Sequence, residues 1–196
     1  MKMDKQDFTV VIAADVFSGE AKNLEVNLST PCLALAKVNN RSIICNSLDS
    51  LMSWNIVTKI FVLTKSELIK SDIEQNILES PYYDFSSVSV NVQMLPPDVE
   101  NYGDVLREVD GKNSGKDENV INECGDSFLF VRGPFVLVCN GLITALEQHK
   151  ERRRVAKKTQ AAYSPVMTLV FKPVEDAKDA PCLSHLFGES SNWKKF

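Results

Sequence analysis

Asp15 directly follows the apolar run "TVVIAA", and Cys32 follows Pro31 in "STPCLALAKV". A carboxylate and a thiol just beyond a first strand are groups that could hold a metal, a ribose or a phosphate-bearing ligand. Farther along, Gly103 and Asp104 open "GDVLREVD", and Gly133 and Pro134 close "FLFVRGP". A phosphate cradle needs glycines, because the backbone must turn with positive φ and approach the oxygens closely, and it needs a cation to offset their charge. From Met1 to Tyr102 the chain has one glycine, Gly19, and neither GxxxxGK[ST] nor GxGxxG occurs. These residues stand where a nucleotide loop belongs, but the usual chemistry of that loop is missing.

Each residue also has a plain structural use. Asp15 is either a residual metal or ribose contact or a turn cap that bonds its own downstream backbone. Asp104 is either a nucleotide contact beside Gly103 or the N-cap of the helix "VLREVD". His149 follows Leu142 and Leu146 at helical spacing, the pattern of a packed or half-buried histidine, and no second His lies near it in sequence. "KERRRVAKK" holds Lys150, Arg152, Arg153, Arg154, Lys157 and Lys158 against one acid. Sharing a face, they could contact phosphates of RNA or an acidic protein. With no aromatics interleaved for base stacking, a solvated helix end with dipole-favoured cations is the structural alternative.

At 196 residues, with a net charge of −4, 44% apolar and 24% charged residues, the chain suits one globular domain with a tail. The charge supplies no global attraction to nucleic acid or anionic membrane. Five cysteines at 32, 45, 124, 139 and 182 form no CxxC pair, which argues against a disulfide framework or a zinc site and for reduced thiols in a cytosolic protein. "MKMDKQDF" is too acidic for a signal peptide, and no stretch approaches the roughly 20 apolar residues of a membrane span. No metal, cofactor or membrane role is expected.

Strands are expected near 8–14, 59–64, 87–94, 127–131 and 165–172, with Phe135 to Val138 a further short extended piece. The 87–94 strand carries Val88, Val90, Val92 and Met94 at period two, one face buried and the other wet. Between the strands, Ile43, Ile44, Leu48, Leu51, Met52 and Trp54 recur at helical spacing. "SELIKSDIEQNILES" has Ser66 as N-cap and Leu68, Ile69, Ile73, Ile77 and Leu78 along one face. "YGDVLREVD" and "NGLITALEQHKERRR" are further helices. Residues 111–124 read as a polar, mobile insertion and 174–196 as a tail or the start of another part, leaving a domain over 1–173. Strands alternating with helices imply a three-layer α/β/α, Rossmann-like fold with a mostly parallel sheet, whose ligands sit at the carboxyl ends of the strands.

The order of these pieces resembles the sugar nucleotidyltransferase family. There the first loop is similar to GGxGTRL and binds a nucleoside triphosphate, the lysine of a "PKPL" segment binds phosphate, and the aspartate of a later "GD" holds magnesium. In this chain "AADVFSG" occupies the first loop and "TPCLALAKV" matches the "PKPL" segment. Cys32 takes the lysine position, Pro134 the aspartate position, and Gly103 and Asp104 the place of a nucleotide-contacting Gly-Thr-Ala segment. The resemblance thus implies a degenerate, non-catalytic domain. It is nearest to the epsilon-subunit family of eukaryotic translation initiation factor 2B, through "YGDVLREVD", "FLFVRGP", "ITALEQHKERRR" and "VMTLVFK", over about Phe8 to Pro173.

That family implies a structural and regulatory, cytoplasmic role in a guanine-nucleotide exchange factor. The implied partners are the other exchange-factor subunits and translation initiation factor 2. It implies a vestigial nucleotide pocket of Asp15, Cys32, Gly103, Asp104, Gly133 and Pro134. Exchange itself depends there on a helical-repeat domain that these residues do not contain, so this stretch alone is not expected to catalyse it. The alternatives are an active sugar-phosphate nucleotidyltransferase with an atypical site and an RNA-binding module.

Overall fold

Period-two alternation along the first strand sends Val10 and Ile12 to one side and Val11 and Ala13 to the other, and all four are fully buried. Such a strand must be central and covered on both faces. A computed structural model describes residues 8–15, 17, 23, 25–54, 56–80, 88–109, 128–133 and 140–159. In it β1 (Phe8–Ala13) lies inside a four-stranded sheet with β4 (Val57–Thr64), β5 (Ser89–Met94) and β6 (Phe128–Arg132), in the order β5-β4-β1-β6. All three pairings are parallel, with Val11 beside Phe61 and Phe130, and Phe61 beside Asn91.

Three helices place an apolar stripe on one face: α1 (Ile43–Met52), α2 (Glu67–Leu78) and the first turns of α4 (Asn140–Lys158). Ile44, Leu48, Leu51, Ile73, Ile77, Leu142 and Leu146 join Val10, Ile12, Ile60, Val62 and Val131 there. α3 (Tyr102–Val109) covers the other face, where Val105 and Val109 meet Val11, Phe61 and Leu63. The fold is therefore the expected Rossmann-like three-layer α/β arrangement. In chain order the strands step outward from β1 to β4 and β5, and β6 then lies on the other side of β1. That reversal makes the carboxyl ends of β1 and β6 the topological switch point.

Several local expectations need correction. Leu68 and Leu78 are 69% and 71% exposed, because the stripe of α2 that meets the sheet is Ile69, Ile73 and Ile77. β5 has no outer neighbour among the described residues, so Val90 and Val92 are half-buried and Met94 is exposed. A hairpin of β2 (Lys37–Val38) and β3 (Arg41–Ser42) was not anticipated. Asn39 and Asn40 both take positive φ (53° and 62°), the type I′ geometry that asparagine tolerates, and "NN" was its signal. Ser66 does cap α2, accepting a hydrogen bond from the Ile69 N–H.

The chain divides into two units, Met1–Leu146 and Glu147–Phe196. In the second, the described part is the end of α4 and Thr159. The expected insertion at 111–124, extended piece from Phe135 to Val138, strand at 165–172, boundary at 173 and tail at 174–196 lie outside the described residues. No helix among the described residues is long and apolar enough to cross a membrane.

Candidate functional site

β1 ends in small residues, and Ala14 and Asp15 just beyond it continue alongside β4. The Ala14 N–H donates to the Leu63 carbonyl, extending the ladder by one step. Asp15 then accepts a 2.6 Å hydrogen bond from the Lys65 backbone N–H. Asp15 thus ties the carboxyl ends of β1 and β4 together, while residues 16 and 18–22, on which its turn-cap reading falls, lie outside the described residues. Burial pushes its pKa above the ordinary carboxylate value, opposed by the Lys65 N–H, the Thr64 hydroxyl and the Lys65 charge. Thr64 Oγ1 is buried beside it. The Lys65 ammonium donates to the Val99 carbonyl.

Cys32 precedes a single 3-10 turn, Leu33–Leu35, whose Leu33 N–H is held at 2.9 Å by Glu25 Oε1. Its side chain is 1% exposed among Val10, Ile12, Ala14 and Ala34. Its Sγ lies 3.5 Å from the Ala14 carbonyl, to which the thiol donates. Burial pushes the thiol up to about 12, with the Asp15 and Glu25 carboxylates adding to the effect and the Ala34 N–H opposing it. Cys32 is thus a buried thiol that holds its proton tightly.

On the far side of the sheet, α3 starts from a reciprocal capping box. Asn101 Oδ1 accepts from the Asp104 N–H at 3.0 Å, and Asp104 Oδ2 accepts from the Asn101 N–H at 3.2 Å and the Glu100 N–H at 3.0 Å. The N-cap is therefore Asn101, and the expectation that Asp104 held that place is corrected. Asp104 sits in the first turn, ion-paired to Arg107, and the Glu100 N–H is the largest cause of its lowered pKa. A Cβ on Gly103 would stand 2.9 Å from Asn101 Oδ1, so glycine leaves room for the cap.

Tyr102, the first residue of α3, brings aromatic surface to the same end of the sheet. Its ring meets Phe17 edge-on at 4.9 Å and Phe130 at 6.3 Å, and the Arg132 guanidinium stacks over it at 4.7 Å. Burial raises its hydroxyl pKa, while the Phe17 backbone and Arg132 lower it. Gly133, buried after β6, takes φ of 88°, which a glycine adopts without strain. Pro134 lies outside the described residues.

The carboxyl ends of the strands thus bring together Asp15, Cys32 and Gly133 from the expected set. The side chain of Asp104 is turned into the capping box, and Gly103 serves its geometry. Lys65, Tyr102, Phe17 and Arg132 were not foreseen. The rule that ligands bind at strand ends would have found Lys65 and Arg132, which close "KIFVLTK" and "FLFVR". Both cations are engaged, Lys65 with a carbonyl and Arg132 with a ring. Among the described residues no three His, Cys, Asp or Glu side chains converge as metal ligands would.

In the second unit, Glu151 receives two hydrogen bonds of 2.7 Å from Arg154. His149 is half-buried, and burial first, then Arg153 and Arg152, lowers its pKa. No protein-family model matches the chain, and neither does any curated protein.

The Asp15 carboxylate predicts a pH signature. Its folded pKa lies above the unfolded value, so the native state holds the proton more tightly and the charged form is a liability at neutral pH. Asp15→Asn keeps an oxygen for the Lys65 N–H and removes the charge, so the variant is more stable than the parent at pH 7. The gap closes as pH falls through the folded value toward about 3.9. Urea titrations of both proteins across that range check this, and a gap that is constant or widens in acid refutes the assignment.

Proposed function

We propose that this chain is a catalytically degenerate nucleotidyltransferase-like domain with a structural and regulatory role in the guanine-nucleotide exchange factor for translation initiation factor 2. It would act in the cytoplasm, beside the other exchange-factor subunits. The single observation that supports the degenerate reading most is Cys32. At the position where the resembled family places a phosphate-binding lysine, the side chain is a buried, uncharged thiol bonded to the Ala14 carbonyl. A transferred phosphoryl group would find no cation there, and preorganised charge is the main source of rate in such chemistry. The assignment to the exchange factor rests on the four sequence segments.

The test has two arms. Purified protein with magnesium, a panel of nucleoside triphosphates and sugar 1-phosphates is expected to release no pyrophosphate. The tagged protein is expected to recover the other exchange-factor subunits from cytosol. Sustained turnover that disappears in Asp15→Asn overturns the first statement, and failure to recover any subunit overturns the second.

A second reading, an active nucleotidyltransferase with an atypical site, is favoured by the buried Asp15 carboxylate at the switch point, since strained charge of this kind concentrates at working sites. It requires magnesium with a triphosphate at a hundredfold over its dissociation constant to stabilise the fold by about 2.7 kcal/mol. An unchanged melting temperature rejects it.

A further inference from the structure

The sheet uses one side of α2, where Ile69, Ile73 and Ile77 face the core. On the opposite side Leu68, Ser71, Gln75 and Leu78 follow one another at i, i+3, i+7 and i+10, and all four are exposed. That alternation of three and four is the spacing of a seam between helices. Leucines stand at its two ends, about 15 Å apart along the axis. Among the exposed large apolar residues that are described, only Val26 is more open, at 77%. The rims of the seam are acidic: Glu67 and Glu74 border one side, Asp72 and Glu79 the other. Lys70, the one cation of the helix, lies 3.6 Å from Glu67, and Glu79 accepts a 2.8 Å hydrogen bond from the Gln75 amide. Among the described residues no cation pairs with Asp72, Glu74 or Glu79.

We infer that this outer face of α2 docks a basic amphipathic helix of a partner protein, with apolar residues of the partner seated on Leu68 and Leu78 and its lysines or arginines over the acidic rims. Shape and charge together select that occupant. A seam of this spacing is complementary to a second helix, which reads it through anchors at matching intervals. A second copy of α2 is disfavoured, because in either orientation its acidic rims would meet acidic rims, and like charges so placed disfavour pairing. Nucleic acid and anionic membrane are repelled by the same carboxylates. The inference is independent of the function proposed above, because it uses none of the residues at the sheet ends.

The test is fluorescence anisotropy of the whole chain with a labelled synthetic peptide of about three heptads, carrying leucine at the seam positions and lysine on both rims. Leu68→Ser with Leu78→Ser lowers affinity for this peptide at least about tenfold. Glu74→Lys with Glu79→Lys lowers it by a similar factor, and the same variant gains affinity for a peptide with glutamate on both rims. Val26→Ser, which removes an equally open apolar side chain outside α2, leaves affinity within about twofold of the parent. None of the substituted side chains is buried, so each variant keeps the fold, which thermal unfolding confirms. No binding at protein concentrations up to about 100 μM overturns the inference, as does equal loss in Val26→Ser or unchanged affinity in either double variant. Equal or tighter binding of the glutamate peptide by the parent also overturns it. So does a dimer in sedimentation that dissociates in Leu68→Ser with Leu78→Ser, which would assign the face to a second copy.

Discussion

Cys32→Asp costs the fold about 3–5 kcal/mol at neutral pH, the penalty of a buried charge with no opposite charge beside it. The side chain at this position is buried in the core with Val10, Ile12, Ala14 and Ala34, and the groups facing it are the Asp15 and Glu25 carboxylates, the Ala14 carbonyl and the Ala34 and Leu35 N–H groups. A carboxylate placed there loses hydration and meets Asp15 and Glu25, both of its own sign. Its folded pKa must lie above the unfolded value, so the penalty is complete above the folded value and fades as pH falls toward about 3.9. Cys32→Ala supplies the reference for lost packing alone. Cys32→Lys adds more atoms than Cys32→Asp yet costs less at pH 7, because Asp15 and Glu25 then face an opposite charge. Urea unfolding of the three variants at neutral and acidic pH measures the series. If Cys32→Asp lies within about 1 kcal/mol of Cys32→Ala at pH 7, the thiol is not the enclosed neutral group described above. Cys32→Lys is also expected to leave pyrophosphate release at zero, since a single cation does not supply the missing glycines.

Phe61→Ala removes about 3–5 kcal/mol of stability. Phe61 is fully buried on β4, between β1 and β5, and fills the space between the sheet and α3 with Val11, Leu63, Val105 and Val109. Truncation forfeits the transfer energy of the ring and leaves a void that the parallel strands on either side cannot close. Because α3 carries Tyr102, the loosened helix also releases the Phe17–Tyr102–Arg132 stack, seen as a weakened near-ultraviolet tyrosine signal. Leu68→Ala is the control, since that leucine is 69% exposed and its removal moves stability by less than about 0.5 kcal/mol. A loss below about 1.5 kcal/mol for Phe61→Ala would mean that α3 is not seated on this ring.

The sequence by itself determined the layers. "TVVIA" and "KIFVLT" are continuous apolar runs that require burial on both faces, and the helices between them make parallel crossovers the natural connection. It also determined the start of α2, because Ser66 and the Ile69 N–H it accepts from lie within one turn. It could propose Asp15 and Cys32 as site residues, since both stand at the end of the first strand.

Only the tertiary structure decided what those residues do. Asp15 bonds Lys65 across the sheet, and that partner depends on β4 lying beside β1 in a particular register. Cys32 becomes a core group because its turn folds against Ala14, a contact with nothing local to announce it. Even within α3, competition between Asn101 and Asp104 for the cap was settled by where the chain enters the helix. The exposure of Leu68, Leu78 and Met94 came from which stripe meets the sheet and which strand lies at its edge. Periodicity is written in consecutive residues and survives in any context, but charge, burial and partner are properties of positions brought together from distant parts of the chain.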